Sequence, residues 1–406
     1  MPRPALPVLQ VVGNLELGGG QEVVRTLTRH LPAFGCEPVV ATFTDGPLRA
    51  EIESSGVAVE VLNGRRGDMI ALPAAIVDLV RIRRQLAAVI AKHRVQVIQT
   101  HLLRSLDFLV LTLRSEPGVR SIYWTVHNAL LDLRADQLRH RRWLLEPKRQ
   151  LHRVLYRAGG RRVDAFIAVS TDVGEAVRRA YHPRRGRLVL IPNGVDLERF
   201  GEPVDRTAVR RRLGVPNGAR LLIVVAKLFE QKGHGVLLET LPKVLARHPD
   251  LEILLAGEGP LRSQLGRQAE TSGSGHRVHF LGNRRDLPEL LAASDLFVLP
   301  SLWEGLPMAL LEAMASRLPV IATDVSGSRE VLADGTGVLV PPGDVERLAS
   351  AITDILADPT QASALGQAGR ERVERHYSAA RQAAQHAALY RARLGQPEAE
   401  GTGVDG

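Results

Sequence analysis

Short apolar runs alternate along this chain with longer segments in which apolar residues recur every three or four positions. The runs are rich in Val, Ile and Leu, which is typical of strands buried on both faces of a parallel sheet. We predict seven such strands in the first half of the chain, over residues 6–13, 38–43, 57–62, 95–99, 121–126, 165–170 and 187–191. Six more are predicted in the second half, over residues 221–226, 251–256, 277–281, 295–299, 319–322 and 337–340.

Helical segments separate the strands of each series, and this alternation predicts two α/β domains, each a Rossmann-like, doubly wound parallel sheet. A chain of 406 residues is also too long for one ordinary hydrophobic core. Because Pro-Asn-Gly at 192–194 punctuates the chain, we predict domains over residues 1–195 and 196–375. Ligands bind beyond the carboxyl ends of the strands in such sheets, so two domains facing across a cleft would bind a ligand between them.

Cysteine content and hydropathy restrict the class of protein. The single cysteine, Cys36, excludes a disulfide within the chain and fits a reducing compartment, so we predict a cytoplasmic protein. No stretch of the chain is apolar for long enough to span a membrane, and the short apolar run near the N-terminus indicates a first strand, not a signal peptide. Residues 393–406 are polar and rich in glycine, which predicts a disordered tail.

The positive charge is concentrated in the first half of the chain. Residues 1–200 carry 30 Lys and Arg against 19 Asp and Glu, whereas the remaining residues carry 23 against 25. The densest stretch, residues 134–162, interleaves apolar residues with basic candidates for a contact surface: Arg141, Arg142, Lys148 and Arg149. Such a stretch can meet nucleic acid, an anionic membrane or an anionic substrate, or it is a solubilising helix face. Only 4% of residues are aromatic, which argues against stacking on single-stranded nucleic acid.

Two turns that follow predicted strands could hold phosphate. Gly19 and Gly20 follow the first strand and open a helix, so the backbone can approach a ligand and offer free N–H groups to an anion. Lys227 and Lys232 follow the strand over 221–226, where two ammonium groups suit a diphosphate. Each turn also has a simpler interpretation, as an ordinary glycine-rich turn and as a pair of surface lysines.

Two carboxylates stand out in WEGLPMALLEAMA at 303–315. Glu304 lies just before a helix, and Glu312 lies on that otherwise apolar helix. The helix-start N–H groups of Gly305 and Leu306 can hold phosphate or sugar hydroxyls. A carboxylate in the loop can accept hydrogen bonds from a sugar, and one on the helix can accept both hydroxyls of a ribose. The simpler interpretation of Glu312 is a solvated residue at the edge of the helix.

His101 and His127 each follow a predicted strand. Each should therefore lie at the carboxyl end of its strand, where the functional loops of this fold class lie. A histidine that is hydrogen-bonded within a loop is the simpler interpretation of both.

Taken in order, these segments resemble one family, the retaining glycosyltransferases of family 4, whose two Rossmann-like domains have the GT-B arrangement. The resemblance covers about residues 6–392 and is strongest in E-x7-E, from Glu304 to Glu312. The accompanying segments are GGGQE, TVHN, IPNGVD, QKG, AGEGP, FLGNRRDLPELLAASDLFVLPS and TGVLVPPGD.

The resemblance implies a role for each candidate residue. Glu304 and His127 would lie at the reacting sugar, and Glu312 would bind the donor ribose. The donor diphosphate would be bound by Lys227, Lys232, Gly19, Gly20, Gly305 and Leu306. Gly282 and Asn283 would lie near the donor base.

Two further features follow from the same resemblance. The segment 376–392 resembles the family's terminal helix, which returns to the first domain. The family usually has Arg where this chain has Lys227, so the charge is kept but the bidentate fork is lost.

The implied reaction moves a sugar from a nucleoside-diphosphate sugar to a glycan or lipid-linked acceptor, with retention, in surface-polysaccharide or glycoconjugate synthesis. UDP is favoured because most bacterial members use it. The chain has no D-x-D sequence, so we predict a reaction without metal or other cofactor. The basic first domain would bind the acceptor at an anionic membrane surface, which predicts a cytoplasmic protein peripheral on the inner face of the membrane.

Other classes of function stay open at this point. A nucleotide-sugar epimerase of similar architecture would keep the donor site and need no acceptor. A related sucrose-type transferase would use a soluble acceptor. A non-enzymatic nucleic-acid binder is suggested only by the basic composition, with its net charge of +9, and the ordered donor-site segments argue against it.

Overall fold

The computed structural model describes residues 4–62, 72–101, 105–128, 145–216 and 218–395. The chain divides into two compact units, one formed by Met1–Asn193 with Ala379–Gly406 and the other by Gly194–Ser378. The end of the chain therefore belongs to the first unit, and each unit is built on one parallel sheet.

The sheet of the first unit has seven strands in the order β3-β2-β1-β4-β5-β6-β7, and every neighbouring pair is parallel. These strands are β1 Leu6–Val12, β2 Cys36–Thr42, β3 Ala58–Val61, β4 Val97–His101, β5 Ser121–Val126, β6 Ala165–Ala168 and β7 Leu188–Leu190. The sheet of the second unit has the parallel order β10-β9-β8-β11-β12-β13. Its strands are β8 Arg220–Val225, β9 Leu251–Ala256, β10 Val278–Gly282, β11 Leu296–Leu299, β12 Val320–Thr323 and β13 Val338–Val340.

Helices connect the strands in both units. In the first unit they are α1 Gly19–His30, α2 Arg49–Ser54, α3 Leu72–Lys92, α4 Ser105–Leu111, α5 Leu145–Gly160 and α6 Thr171–Tyr181. In the second unit they are α7 Arg206–Arg212, α8 His234–Leu245, α9 Arg262–Thr271, α10 Leu287–Ala293, α11 Met308–Ala315, α12 Ser326–Val331, α13 Val345–Ala357 and α14 Pro359–His376. The last helix, α15 Ala379–Arg393, belongs to the first unit. Within the described ranges, none of these helices is long and apolar enough to cross a membrane.

The prediction of two doubly wound parallel sheets is confirmed. Each of the thirteen predicted strands overlaps an observed one, and the ends agree within two residues. The reason is visible in β1 and β9, whose residues are all buried, as expected for strands covered on both faces.

The terminal helix α15 covers one face of the first sheet. Ala383, Ala387 and Tyr390 recur at intervals of three or four residues and join the core formed with β1, β4, β5 and α1. The ring of Tyr390 lies 5.4 Å from that of Tyr123 on β5. Burying such an aromatic side chain contributes roughly 1.5–3 kcal/mol, so the first unit depends on this distant segment of chain.

The order of strands along each sheet reverses once. The reversal lies between β1 and β4 in the first unit and between β8 and β11 in the second. In open α/β sheets a ligand binds beyond the carboxyl ends of the strands at such a switch point. The loops after these four strands are therefore where each unit is expected to hold a ligand.

Candidate active site

Two predicted donor-site segments meet at the switch point of the second unit. Because β8 and β11 are neighbours, the loop with Lys232 lies beside the loop with Glu304. The N–H of Leu302 donates to the carbonyl of Gln231 at 2.7 Å, and Nε2 of Gln231 donates to the carbonyl of Trp303 at 2.9 Å. These two bonds hold the loops together and fix the position of Glu304.

Glu304 is the centre of a small buried polar cluster. Its Oε1 accepts hydrogen bonds from Nζ of Lys232 and Oγ of Ser301, each at 2.6 Å, and the residue is only 5% exposed. Its carbonyl accepts a bond from Oγ of Ser326, at the start of α12, at 2.9 Å. A buried carboxylate is stable only when it is paired and hydrogen-bonded. Loops that follow β8 and β11 supply the partners of the carboxylate, and the start of α12 holds the backbone of Glu304.

Two glycines allow these loops to approach one another. Gly233, which follows Lys232, has φ +65°, and a Cβ on it would lie 1.9 Å from the carbonyl oxygen of Pro300. A Cβ on Gly327 would lie 2.1 Å from the carbonyl oxygen of Gly305. Both distances are far inside van der Waals contact, so a side chain at either position would push the loops apart.

Glu312 projects from α11 and is 4% exposed, so its interpretation as a solvated residue at the helix edge is wrong. Pro307 precedes the helix in an extended conformation, and among the described residues no side chain caps the helix start. The N–H groups of the first turn therefore have no acceptor within the helix. Gly305 and Leu306, which were predicted as helix-start donors, lie in the loop between Glu304 and this turn, because the helix begins only at Met308.

The other predicted donor-site residues lie along the same edge of the second sheet. Lys227 is exposed just after β8, and no partner of its side chain is found within the described residues. Gly282 ends β10 with φ +67°, and Asn283 follows it. Since β9 separates β10 from β8, Gly282 and Asn283 lie two strands away from the loop of Lys232.

His234, which sequence reasoning missed, begins α8 directly after Gly233. It is 2% exposed, and neither ring nitrogen has a hydrogen-bond partner among the residues that the structure describes. Burial, together with the nearby charge of Lys232, lowers the pKa of His234 to about 4. The ring is therefore neutral at pH 7. The local sequence QKGHG gave no signal of this burial.

The two histidines of the first unit lie at the carboxyl ends of their strands, as predicted, and the structure also brings their rings together. His101 is the last residue of β4, and His127 directly follows the neighbouring β5. Their rings stack at 5.3 Å, with Nδ1 of His101 3.0 Å from Nε2 of His127. Burial lowers the pKa of His127 to about 4 and that of His101 well below its ordinary value; nearby imidazoles add to both shifts, that of His127 acting on His101 and that of His386 acting on both. Both are neutral at pH 7.

The glycine turn of the first unit lies where it was predicted, after β1. Gly19 and Gly20 are the first residues of α1. A Cβ on Gly20 would meet nothing within 4 Å, so packing within the chain does not explain glycine there. This open space is compatible with close approach of a ligand.

The predicted basic surface is described only in part. Arg141 and Arg142 lie outside the described residues, while Lys148 and Arg149 belong to α5. Further along α5, Leu151, Val154 and Leu155 are 58%, 57% and 44% exposed. Their spacing of three and four residues places them on one face, so α5 carries an exposed apolar stripe.

No group of three His, Cys, Asp or Glu side chains in the described ranges could hold a metal ion.

Two family models match nearly the whole chain between them. The model described as Glycosyltransferase Family 4 matches residues 17–199, and that described as Glycosyl transferases group 1 matches residues 205–372. The chain belongs to glycosyltransferase family 4. Its two parallel sheets are those of the GT-B fold.

Individual relatives agree with this assignment. The GDP-mannose-dependent monoacylated alpha-(1-6)-phosphatidylinositol monomannoside mannosyltransferase of Corynebacterium glutamicum is 33% identical over 54% of this chain, which matches only 60% of that relative's length. The D-inositol 3-phosphate glycosyltransferase of Corynebacterium urealyticum is 29% identical over 96% of this chain and 94% of its own. The structure of Anabaena Alr3699/HepE with UDP and glucose has a TM-score of 0.79 over 95% of this chain and all of that one, at 20% identity, and supports the fold alone.

Proposed function

We propose that this family 4 chain transfers a sugar from a nucleoside-diphosphate sugar to a hydroxyl of a glycan or lipid-linked acceptor, with retention and without a metal ion. The observation that carries the proposal is the buried pairing of Lys232 with Glu304 at the switch point of the second unit, beside the helix that bears Glu312. This arrangement combines a cation for phosphate with two carboxylates for sugar hydroxyls.

The diphosphate of the donor would be bound by Lys232 and by the first turn of α11. A lysine ammonium has three N–H donors, and Glu304 uses one of them, so two remain for phosphate oxygens. The helix start adds N–H groups that have no acceptor within the helix, together with the positive end of the helix dipole. Lys227 is exposed at the same edge and supplies a second positive charge. This charge would stabilise the diphosphate as the sugar bond breaks, a role that a metal ion fills in other transferases.

The ribose would be bound by Glu312. Two oxygens of one carboxylate can accept hydrogen bonds from two neighbouring hydroxyls, as the acidic residue of dinucleotide-binding folds does. Glu312 is on the second turn of α11, so one helix would hold both the diphosphate and the ribose of the donor.

Glu304 would bind the donor sugar. Its Oε1 already accepts two hydrogen bonds, one of them from a cation. Its Oε2 has no hydrogen-bond partner within the described residues and remains for a sugar hydroxyl. Glu304 therefore orients the sugar while Lys232 neutralises the leaving group.

The acceptor would reach the first unit from an anionic membrane surface. The apolar stripe of Leu151, Val154 and Leu155 lies in the most basic part of the chain, a combination typical of helices that lie in the interface of anionic bilayers. A relative at 33% identity is named for a phosphatidylinositol monomannoside, which is a lipid-linked acceptor.

Sedimentation with lipid vesicles tests the membrane contact. The chain should bind anionic vesicles and not neutral ones, and salt should weaken the binding. Changing the three stripe residues to Ser should remove most of it, while Leu190→Ser, which alters a residue 46% exposed at the end of β7, should not. Binding that depends neither on the charge of the lipid nor on the salt concentration contradicts this part of the proposal.

A transfer assay tests the reaction. Radiolabelled UDP-, GDP- and ADP-sugars are incubated with the protein, a bacterial membrane-lipid extract and EDTA. The product's anomeric configuration is then read by NMR. We expect transfer from one nucleotide class with the configuration of the donor, and at least a roughly hundredfold loss in Glu304→Gln. Glu346→Gln is the control, since Glu346 is 73% exposed. UDP stays the prediction for the base, although the relative at 33% identity is named for GDP-mannose.

Two outcomes of that assay favour other functions. Conversion of the donor without any acceptor indicates an epimerase. If transfer requires an added metal ion, Lys232 and Lys227 do not have the proposed role of neutralising the diphosphate.

A further inference from the structure

A continuous chain of hydrogen bonds runs through the interior of the first unit, from the terminal helix α15 to His127. Nδ1 of His386 lies 2.9 Å from the carbonyl oxygen of Gln382, and Nε2 of His386 lies 3.3 Å from Nε2 of Gln99. The hydroxyl of Tyr390 bonds to Oε1 of Gln99 and lies 3.2 Å from Nε2 of Gln10. These polar residues are at most 3% exposed.

The chain continues from Gln10 to the histidine pair. Oε1 of Gln10 lies 2.8 Å from Nε2 of His101, and Nδ1 of His101 lies 3.0 Å from Nε2 of His127. Both ring nitrogens of His101 therefore have a hydrogen-bond partner. The residue is 7% exposed. Nδ1 of His127 is buried and has no hydrogen-bond partner among the described residues.

The direction of every bond follows from one fixed acceptor, the backbone carbonyl of Gln382. Because a carbonyl can only accept, Nδ1 of the neutral His386 must carry the proton, and its Nε2 is bare. The bare nitrogen must receive the amide N–H of Gln99. The side-chain oxygen of Gln99 therefore points to Tyr390, whose hydroxyl must donate to it.

The donors and acceptors of the remaining hydrogen bonds, as far as His127, follow in the same way. Since the hydroxyl proton of Tyr390 is used, its oxygen accepts from the amide N–H of Gln10, and the amide oxygen of Gln10 points to His101. Nε2 of His101 must then carry the proton, and its bare Nδ1 accepts from Nε2 of His127. In neutral His127 the proton is on Nε2, and Nδ1 is left with a free lone pair.

We infer that this hydrogen-bond chain is a positioning device, in which Tyr390 of the terminal helix holds His127 in the Nε2–H tautomer so that Nδ1 accepts a hydrogen bond from a hydroxyl of the substrate sugar. The inference rests on the proposed transferase function for the sugar, whereas the tautomer follows from the geometry of the chain together with the neutral state of His386.

Two observations favour a ligand at Nδ1. A buried acceptor without a partner is destabilising, and native structures keep very few of them without a functional reason. His127 also directly follows β5 at the carboxyl edge of the sheet, where ligands bind in this fold class. A lone pair recognises an O–H donor, and sugar hydroxyls are such donors.

NMR of protein labelled with ¹⁵N-histidine tests the tautomer without any substrate. At pH 7 the His127 signal, assigned as the one lost in His127→Gln, should show the pattern of a neutral ring protonated at Nε2. A signal of the opposite tautomer, or of a charged ring, overturns the inference even if transfer activity is found.

The variant Tyr390→Phe tests the role of the terminal helix. It keeps the ring that packs in the core and removes the hydroxyl that transmits the direction of the chain. We expect the His127 signal to move towards a mixture of tautomers. Tyr377→Phe, which removes a hydroxyl bonded to the carbonyl of Glu330 in the second unit, should leave the signal in place. An unchanged tautomer in Tyr390→Phe removes Tyr390 from the positioning role.

Two variants of His127 test whether the lone pair on Nδ1 accepts a hydrogen bond from the sugar. An Asn side chain can place an oxygen near the position of Nδ1, whereas Gln reaches the position of Nε2. We expect His127→Asn to keep most of kcat/KM and His127→Gln to lose roughly tenfold, the size of one hydrogen bond. Equal losses in the two variants contradict a contact at Nδ1. If neither the wild type nor any variant binds a nucleotide sugar, the proposed function fails while the tautomer result stands.

Discussion

Mild acid should destabilise the first unit because three of its histidines, two buried and one half-buried, are neutral in the folded state. His101, His127 and His386 all have pKa values lowered by burial, to about 4 for the latter two and well below the ordinary value for His101. In the unfolded chain each histidine titrates near pH 6.5. Below that pH the unfolded chain takes up protons that the folded unit does not, so stability is lost as pH falls from about 6.5 towards about 4.

The size of the effect follows from proton linkage. Between pH 7 and pH 5.5, each histidine that stays neutral in the folded unit lowers the free energy of unfolding by slightly more than about 1 kcal/mol. A still lower pKa in the folded unit does not change this figure. Three such residues together cost about 4 kcal/mol, which is a large part of the roughly 5–15 kcal/mol that stabilises a typical domain. Few carboxylates titrate in this window, so the histidines dominate the change.

Urea unfolding at the two pH values measures this loss. In a Trp303→Phe background the remaining tryptophans, Trp124 and Trp143, both belong to the first unit and report on it alone. We expect His386→Gln to reduce the pH-dependent loss by about a third. His276→Gln, which alters an exposed histidine of the second unit, should leave it unchanged. A loss below about 1 kcal/mol in the parent, or an equal loss in His386→Gln, refutes the burial of neutral rings.

Two glycines, one lysine and the single cysteine give the remaining predictions. Gly233→Ala should destabilise the second unit by about 3 kcal/mol, because a Cβ there meets a carbonyl oxygen at 1.9 Å. Gly214 has a similar φ of +70°, but a Cβ there would meet nothing within 4 Å. Gly214→Ala should therefore lower the free energy of unfolding by only about 1 kcal/mol. Thermal unfolding of both variants measures the difference. Lys232→Met should weaken binding of a nucleoside diphosphate roughly tenfold or more while leaving binding of the nucleoside alone nearly unchanged, as measured by calorimetry; an equal loss for both ligands places the lysine elsewhere. Burial raises the pKa of the Cys36 thiol to about 11, so the native protein should not react with a thiol reagent at pH 8 and the unfolded chain should react once. Rapid reaction of the native protein contradicts that burial.

Much of the fold could be predicted because its strands are unusually apolar. Runs such as β1 and β9 are buried throughout, so hydropathy alone locates them within about two residues. Strand-end placement also explains why His101 and His127 were predicted correctly as neighbours of the carboxyl edge. Side chains that directly follow parallel strands share one edge of the sheet, so the strand positions alone place these two histidines.

The partners of the site residues could not be predicted, because they come from distant parts of the chain. Tyr390 meets Gln10 across 380 residues, and nothing local distinguishes it from other tyrosines. Gln10 did carry a signal, as the one polar residue in the buried strand LPVLQVV, since a buried amide needs hydrogen-bond partners. The burial of Glu312 depends on how α11 packs, which its short apolar sequence leaves undetermined.

A thermal-shift experiment with nucleotides tests the donor site most directly. The protein is heated with UDP, GDP, ADP and their sugar conjugates, without metal, alongside Glu312→Ala and the exposed control Glu371→Ala. A ligand at about 100 times its dissociation constant adds about 2.7 kcal/mol to stability. We predict stabilisation by one nucleotide class in the wild type and in Glu371→Ala, and its loss in Glu312→Ala. Stabilisation by no nucleotide, or the same stabilisation in Glu312→Ala, contradicts a nucleotide-sugar site built on α11.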